Sequence, residues 1–426
     1  MASETWQCRA CDSGEVFQFL DLKEMPVTNR YPTKEDVEAF HRGEKKEHKY
    51  PLRVGMCGNC SMVQLSDFVP YAEYIVPDET GRTNYAFFSS QSTTMQAHFA
   101  QFAETIKRRF LNKGEGVAEI GGNDGIMLRA FDRSKYRVLN IEPSSNVAEI
   151  SRSKGIETIE SLFTPKLAME LLHSHGEFKV VSCANVLLNI HDINGVFEGA
   201  RIMLSNNGVF ITQDPYWPSV LKDTGFDQFY EEHPWCFSLK PLEHLAESHG
   251  MELFDAQLFP AIHGGSMRAY FSKKGAYEKT KRCSDYQRRE QWANTPEACN
   301  NFASRVEKSK KNLLSILNNI KSQGKRIIGY AAASKGTVIL NYCGIGAETL
   351  DYVVDSTPTK QGRYIPGVRI PIVSPEEFYR EIERGNAPHY ALLGARNYAK
   401  EIQEKEKEFV RGGGRFIVAL PKPRIL

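Results

Sequence analysis

The chain has 426 residues, 41% of them hydrophobic and 25% charged, with a formal net charge of +2. That length exceeds the ~250–300 residues at which one hydrophobic core stops growing, so two or three domains are expected. The balanced charge supplies no global field for nucleic acid or a membrane surface, and no apolar run reaches the ~18 residues of a membrane-spanning helix.

Nine cysteines, an odd and unevenly spread number, argue against a disulfide framework and for a reducing cytoplasm. The N-terminal MASETWQCRACDSGE has no apolar signal core. With no heptad pattern and no large apolar stripe, the chain reads as a monomer.

Cys8-Arg-Ala-Cys11 and Cys57-Gly-Asn-Cys60 are two CxxC pairs separated by residues 12–56. Four thiolates in two close pairs suit tetrahedral Zn²⁺ with every position filled, hence a structural metal that supplies folding energy to a small module. A redox CxxC or four unrelated thiols are the competing readings. YPLRVGMC reads as an edge strand feeding the second knuckle. Local clusters such as Arg42–Lys49 and Lys308–Lys311 read as solvated faces. NYAFFSSQSTTMQAHF is rich in aromatics and hydroxyls, suited to a polar pocket or a packed domain joint. An amphipathic helix is expected from about Ser92 to Phe110.

GVAEIGGNDG, Gly116–Gly125, is an apolar run through Glu119 into a glycine turn at Gly121 and Gly122 with Asn123 and Asp124. A second apolar run ends on Glu142-Pro143, 17 positions after Gly125 and near the ~20 expected of an acid that accepts the hydroxyls of a ribose. The glycines do not form GxGxxG, so a dinucleotide is the weaker reading and S-adenosylmethionine the better one. A βαβ turn that merely contains glycine is the bland alternative. Strand and helix patterns alternate through FKVVSCANVLLNIHDI, GVFITQDPYW and MELFDAQLFPAIHGGSMRAYFSKK, which predicts a doubly wound, mainly parallel sheet. Ligands of such sheets lie beyond the strand carboxyl ends, which draws Gly121–Gly125, Glu142, Asn185 and Asp214 toward one crevice.

After a polar stretch, KTKRCSDYQRREQWANTPEACNNF, a long helix is expected from Asn301 to about Gln323. RIIGYAAASKGTVILNYCGI then opens a second Rossmann-like unit without a ribose acid. Its small-residue loop can seat phosphate at a helix start, with Lys335, Lys360 and Arg396 (beside Asn397) adding charge. Surface lysines on a plain βαβ unit are the alternative. FDQFYEEHPWCF gathers Tyr230, Glu231, Glu232 and His233. A histidine there suits a base near neutral pH, oriented by a phenol and a carboxylate; a core histidine satisfied by hydrogen bonds is the alternative.

Taken in order, CxxC…CxxC, NYAFFSS, EIGGNDG, DPYW, FDQFYEEH, HGGS, GYAAASKG and TPTKQGRYIPGVRIPI resemble the C3-methyltransferases that act on nucleotide-linked 4-keto-6-deoxy sugars. The resemblance spans essentially the whole chain. It implies an α/β protein of three parts: a zinc-binding domain (1–75), an S-adenosylmethionine-binding methyltransferase domain (76–285) and a C-terminal Rossmann-like domain gripping a sugar nucleotide (286–426), dTDP-linked or else GDP-linked.

The resemblance further implies that His233 removes the C3 proton, with Tyr230 and Glu232 in support, and that Tyr85 holds the sugar. It implies a cofactor site at Glu119, Gly121, Gly122, Asn123, Asp124, Glu142, Pro143 and Asn185. Lys335, Lys360, Arg396 and Asn397 would face the nucleotide, and Cys8, Cys11, Cys57 and Cys60 would hold zinc.

The chain departs from the family pattern after the NVL strand. There Asn189 stands where a histidine is expected, with His191 two positions on, and Gln213 takes the place of an acid. An O-methyltransferase and a non-catalytic zinc- and nucleotide-binding protein are the alternatives.

Overall fold

The structure is a computed structural model that describes residues 6–75, 80–83, 85 and 88–426. The start of the N-terminal segment, and Asn84, Ala86 and Phe87 of the NYAFFSS motif, lie outside the described residues. No helix among the described residues is long and apolar enough to cross a membrane.

Among the described residues, seventeen strands form three sheets. The first three are β1 (Val16–Pro26), β2 (Lys49–Cys57) and β3 (Val63–Leu65). The central run is β4 (Gly116–Ile120), β5 (Arg137–Ile141), β6 (Thr158–Ile159), β7 (Phe178–Ala184), β8 (Leu204–Pro215), β9 (Trp235–Cys236), β10 (Met251–Phe259) and β11 (Ser266–Lys273). The last six are β12 (Ile327–Tyr330), β13 (Val353–Val354), β14 (Ile372–Val373), β15 (Tyr390–Leu393), β16 (Arg415–Val418) and β17 (Arg424–Ile425).

The central sheet has the order β10-β11-β8-β7-β4-β5-β6. Its β4 to β8 pair in parallel, and β11 and β10 close one edge antiparallel. This is the mainly parallel sheet the alternation predicts, and the strand β4 that opens the glycine turn lies inside it, buried along its length. The C-terminal sheet, β14-β13-β12-β15-β16-β17, is parallel apart from β17.

The N-terminal sheet has the order β1-β2-β3-β9. Its fourth strand comes from the central third of the chain: Val63 faces Cys236 and Gln64 faces Trp235. This corrects the reading of YPLRVGMC as an edge strand, because β2 lies between β1 and β3. Its proline is tolerated because β3 reaches only Val54–Met56, so Pro51 has a strand neighbour on one side alone.

The polar stretch before the third part is also ordered. It forms a helix at Lys281–Glu290, capped by Thr280, and the long helix begins at Pro296 rather than Asn301, because Thr295 caps Ala298 N–H and proline fits the first turn.

One apolar cluster joins the N-terminal and C-terminal sheets through the segment that follows β8, and a second joins the cysteine knuckles to the central sheet. The first runs from Phe19, Val54 and Leu65 through Trp217, Phe226 and Phe229 to Phe302, Val338 and Leu392. Trp217 sits at its centre, its ring 5.7 Å from Phe19 and 5.5 Å from Phe302, and its indole N–H donates to Ala293 O at 2.9 Å. Trp217→Ala is expected to cost about 3–5 kcal/mol through cavity formation. Urea unfolding should show that loss in one transition common to far-UV signal and fluorescence, since the N-terminal sheet shares this core with the C-terminal sheet and a second core with the central one; separate transitions would show that the sheets unfold independently.

Candidate active site

The four cysteine sulfurs lie within 4.8 Å of one another. Cys8–Cys60 and Cys11–Cys57 are each 3.7 Å apart, close to the ~3.8 Å edge of a tetrahedron with Zn–S bonds of ~2.3 Å. Cys60's thiol bonded to Cys8 draws Cys8 down to about 5, and Cys60 is pushed up in turn. Gln64 Nε2–H donates to Cys8 Sγ at 3.1 Å and Asn59 Nδ2–H to Cys11 Sγ at 3.6 Å, as thiolate ligands require. The donor set fits a closed, structural zinc site.

At the carboxyl ends of β4, β5, β7 and β8 the chain gathers acids. Glu119 and Asp214 are each pushed up to about 8 by burial, and Glu142 is also raised by burial. Gly121 turns at φ +66, where a Cβ would meet Val186 at 2.5 Å, and a Cβ on Gly122 would meet Asn140 Oδ1 at 2.4 Å. Glu142 accepts from Asn123 N at 3.0 Å and Ser144 N at 2.9 Å, which fixes its carboxylate over the turn.

One buried oxygen each of Glu119, Asp124, Asn185 and Asp214 has no hydrogen-bond partner among the described residues. Such acceptors call for a ligand rich in donors and positive charge. A pyrophosphate would be repelled there, whereas the sulfonium, ammonium and ribose hydroxyls of S-adenosylmethionine match them. The segment before the Thr93–Phe110 helix folds over this turn. Thr83 Oγ1 donates to Pro143 O at 3.1 Å, Asn146 clamps the Tyr85 backbone at 3.0 and 2.9 Å, and Ser89 and Ser90 N–H bond Asn123 and Asp124.

The loop that ends in β9 holds the second half of the site. His233 Nδ1–H donates to Gln228 O at 3.0 Å, so Nε2 is left as the acceptor for the Tyr230 hydroxyl at 2.6 Å. Burial, then the Lys335 charge, holds His233 well below the usual imidazole range, so the ring is neutral. Burial and Glu232 push Tyr230 well up. Glu231 Oε1 accepts from Thr28 N at 2.6 Å and Thr28 Oγ1 at 2.8 Å; Glu232 Oε1 accepts from Asn29 Nδ2 at 2.5 Å. Burial, then both Glu232 and Glu142, raises Tyr85, so its phenol lies between the cofactor turn and this loop.

Asn189 ends the turn after β7, half-buried. His191 instead packs into an aromatic wall, stacked 4.1 Å from Tyr71 and held near 4 by burial. Gln213 takes both the Nε and Nη2 donors of buried Arg268, at 3.0 and 2.7 Å.

On the C-terminal side, Lys335 makes no ion pair or hydrogen bond among the described residues, and burial lowers it to about 8. Lys360 Nζ donates to Ala332 O at 2.8 Å. Arg396 places Nε and Nη2 on buried Asp227 at 3.0 and 3.2 Å, so its charge is already matched. Asn397 lines a cavity of about 380 Å³ with Met95, Ile262, His263 and Lys400. Thr28, Asn29 and His263 complete the cleft; no sequence motif singles out the first two.

A glycine turn under a cluster of buried acids, with a buried Tyr–His pair on the loop that leads to β9, marks the candidate site of a group-transfer enzyme built on a mainly parallel sheet. Three family descriptions match the chain: a zinc binding domain over residues 8–74, a methyltransferase domain over 95–255 and a C-methyltransferase C-terminal domain over 261–421. The C-methyltransferase NovU of Streptomyces niveus is 30% identical over 424 residues, covering 99% of this chain and 96% of that protein.

Among solved structures, a S-adenosylmethionine-dependent methyltransferase of Clostridium acetobutylicum aligns with TM-score 0.34 and 11% identity over 44% of this chain and 94% of that one. The magnesium protoporphyrin IX methyltransferase of Synechocystis PCC 6803 aligns with TM-score 0.33 and 9% identity, covering 42% of this chain and 79% of that one. The chain belongs to the C-methyltransferase family. It is an S-adenosylmethionine-dependent enzyme with a structural zinc site.

Gln64 links that zinc site to the strand that ends the Tyr230–His233 loop, since its side chain bonds Cys8 while its backbone pairs with Trp235. Stripping the metal with a chelator should release one zinc per chain, measured colorimetrically, and turnover should fall in step with it. Full activity in the zinc-free protein would break the link.

Proposed function

We propose that the enzyme methylates C3 of a nucleotide-linked 4-keto-6-deoxy sugar through an enolate generated by His233, in the biosynthesis of a branched deoxysugar. The observation that carries this reading is the neutral Tyr230–His233 pair, with Tyr85 within electrostatic reach of both Tyr230 and Glu142 of the acid cluster suited to a sulfonium. Its support against O-methylation is that the full-length relative is a C-methyltransferase. A binding-only protein would have no need of a base whose tautomer is set by a backbone carbonyl.

A hydrogen on C3 is weakly acidic, and a carbonyl at C4 delocalises the carbanion left by its removal. His233 Nε2 accepts that proton, directly or through the Tyr230 hydroxyl, while the carbonyl oxygen takes up the negative charge. Tyr85, kept protonated by its surroundings, is placed to donate to that oxygen. Bound S-adenosylmethionine supplies the electrophilic methyl group that replaces the proton on C3. Lys335 offers an unmatched positive charge to the substrate's diphosphate, and the cavity at Asn397 and His263 offers room for its nucleoside.

Mass spectrometry after incubation with a panel of dTDP- and GDP-linked 4-ketosugars should give a product heavier by one methylene with one of them. His233→Asn is expected to lower kcat by about 10²–10⁴-fold while leaving cofactor binding intact, and to abolish solvent deuterium exchange at C3. Wild-type exchange in the variant would remove His233 as the base.

The pH profile is a separate check. His233 is neutral well below pH 6.5, so the acid limb of kcat/KM should lie below that value. Lys335 loses its charge as pH rises through about 8, so kcat/KM should fall there. An acid limb at or above pH 6.5 would contradict the assignment of the free base.

A further inference from the structure

We infer that Asn29 of the zinc-binding domain is a positioning residue for the reaction, its amide orienting Glu232 beside the Tyr230–His233 pair and tying that carboxylate to the third domain. This rests on the reading of the Tyr230–His233 segment as catalytic.

Asn29 is the point at which three domains meet in one side chain. Its Nδ2–H donates to Glu232 Oε1 at 2.5 Å, and its Oδ1 accepts from Ser334 Oγ at 2.9 Å. That pattern leaves the amide one satisfied orientation, since a carboxylate can only accept and the serine hydroxyl is free to donate. Ser334 opens the helix Ser334–Cys343 and directly precedes Lys335. Tyr31, two residues after Asn29, donates to Ala332 O at 2.6 Å, which holds the same loop from the other side. The cation offered to substrate and the carboxylate beside the base are therefore set by one amide.

The need for such a residue follows from the neighbouring carboxylates. Glu231 and Glu232 are both buried, at 4% exposure each, and two adjacent acids in low dielectric do not ionise together. The turn at residues 28–29 treats them differently. Thr28 holds Glu231, whereas Asn29 holds Glu232. Around Glu232 lie Glu231 on its own loop, Lys360 from the C-terminal domain, and the phenols of Tyr31, Tyr74, Tyr85 and Tyr230. Lys360 is the one cation in that set. Burial raises both carboxyls; Asn29 and Lys360 oppose that rise at Glu232, whereas Glu231 is pushed up to about 8, first by burial and then by Glu232. A neutral amide does this; a carboxylate at position 29 would add a third acid, and an alkyl group would leave Glu232 without its donor.

The test compares Asn29→Ala, Asn29→Asp and His233→Asn, each assayed from pH 5 to 9 with zinc content and thermal midpoint measured alongside. Asn29→Ala is expected to lower kcat about 10–100-fold, the scale of a misplaced catalytic group, with KM for the cofactor, zinc content and midpoint near wild type. Asn29→Asp should be as slow at pH 8 but recover toward acid pH, where the new carboxyl is protonated and again donates to Glu232; Asn29→Ala should show no such recovery.

Wild-type kcat in Asn29→Ala, or losses that track the thermal midpoint without the acid recovery, would overturn the positioning role. If His233→Asn is inactive and Asn29→Ala is not, only this inference falls. If His233→Asn is fully active, the catalytic reading falls and this inference with it.

Discussion

The pairing of β3 with β9 is the constraint on which the site depends. Residues 226–234 contain one short turn and otherwise no regular structure, yet they carry Tyr230, Glu231, Glu232 and His233. A loop of that kind is held only by what grips its ends. One end is buried as Phe226–Gln228 in the joint core, and the other becomes a strand of the zinc domain's sheet. Leu65 N–H also donates to Pro234 O at 2.9 Å, one residue after the histidine. The metal therefore acts at a distance on chemistry it does not touch: it rigidifies the knuckles, the knuckles hold Gln64, and Gln64 lies opposite Trp235.

Charge is separated across the cleft. Glu119, Asp124, Glu142 and Asp214 collect at the strand ends of the central sheet, whereas Lys335 and Lys360 approach from the C-terminal sheet. Burial raises Glu119, Glu142 and Asp214 and lowers both lysines, which is the cost of holding charged groups out of water. A cationic cofactor on one side and, on the proposed reading, an anionic substrate on the other would relieve both. The Tyr230–His233 pair is neutral, and on the same reading it is the group that moves the proton. Arg396 shows the contrast, since a cation fully matched by Asp227 stabilises the joint and adds little net field to the cleft.

The parts that were legible in the sequence share a property: their chemistry is carried by residues close along the chain. Two CxxC pairs, a glycine turn with an acid 17 positions on, and a Tyr-Glu-Glu-His segment each state their purpose within a short window. Periodicity likewise showed the parallel central sheet and the helix Thr93–Phe110. It failed where composition masked order. The charged helix Lys281–Glu290 reads only as a polar stretch because its apolar face is a few residues wide, and β2 reads as an edge because its proline says nothing about how far β3 extends.

What the sequence alone determined is the set of reactive groups and the local turns that present them, because spacing and residue type suffice for that. What only the tertiary structure decided is which groups are already spoken for. Arg396 meets Asp227, Asn29 meets Glu232 and Ser334, and Gln64 meets both a metal ligand and the strand that ends the Tyr230–His233 loop. These partners lie far apart in the chain, and no local pattern encodes them. They are brought together by burial of the apolar clusters that tie the N-terminal module to the C-terminal and central sheets, and the desolvation that accompanies that burial raises Glu231 and Glu232 and lowers His233.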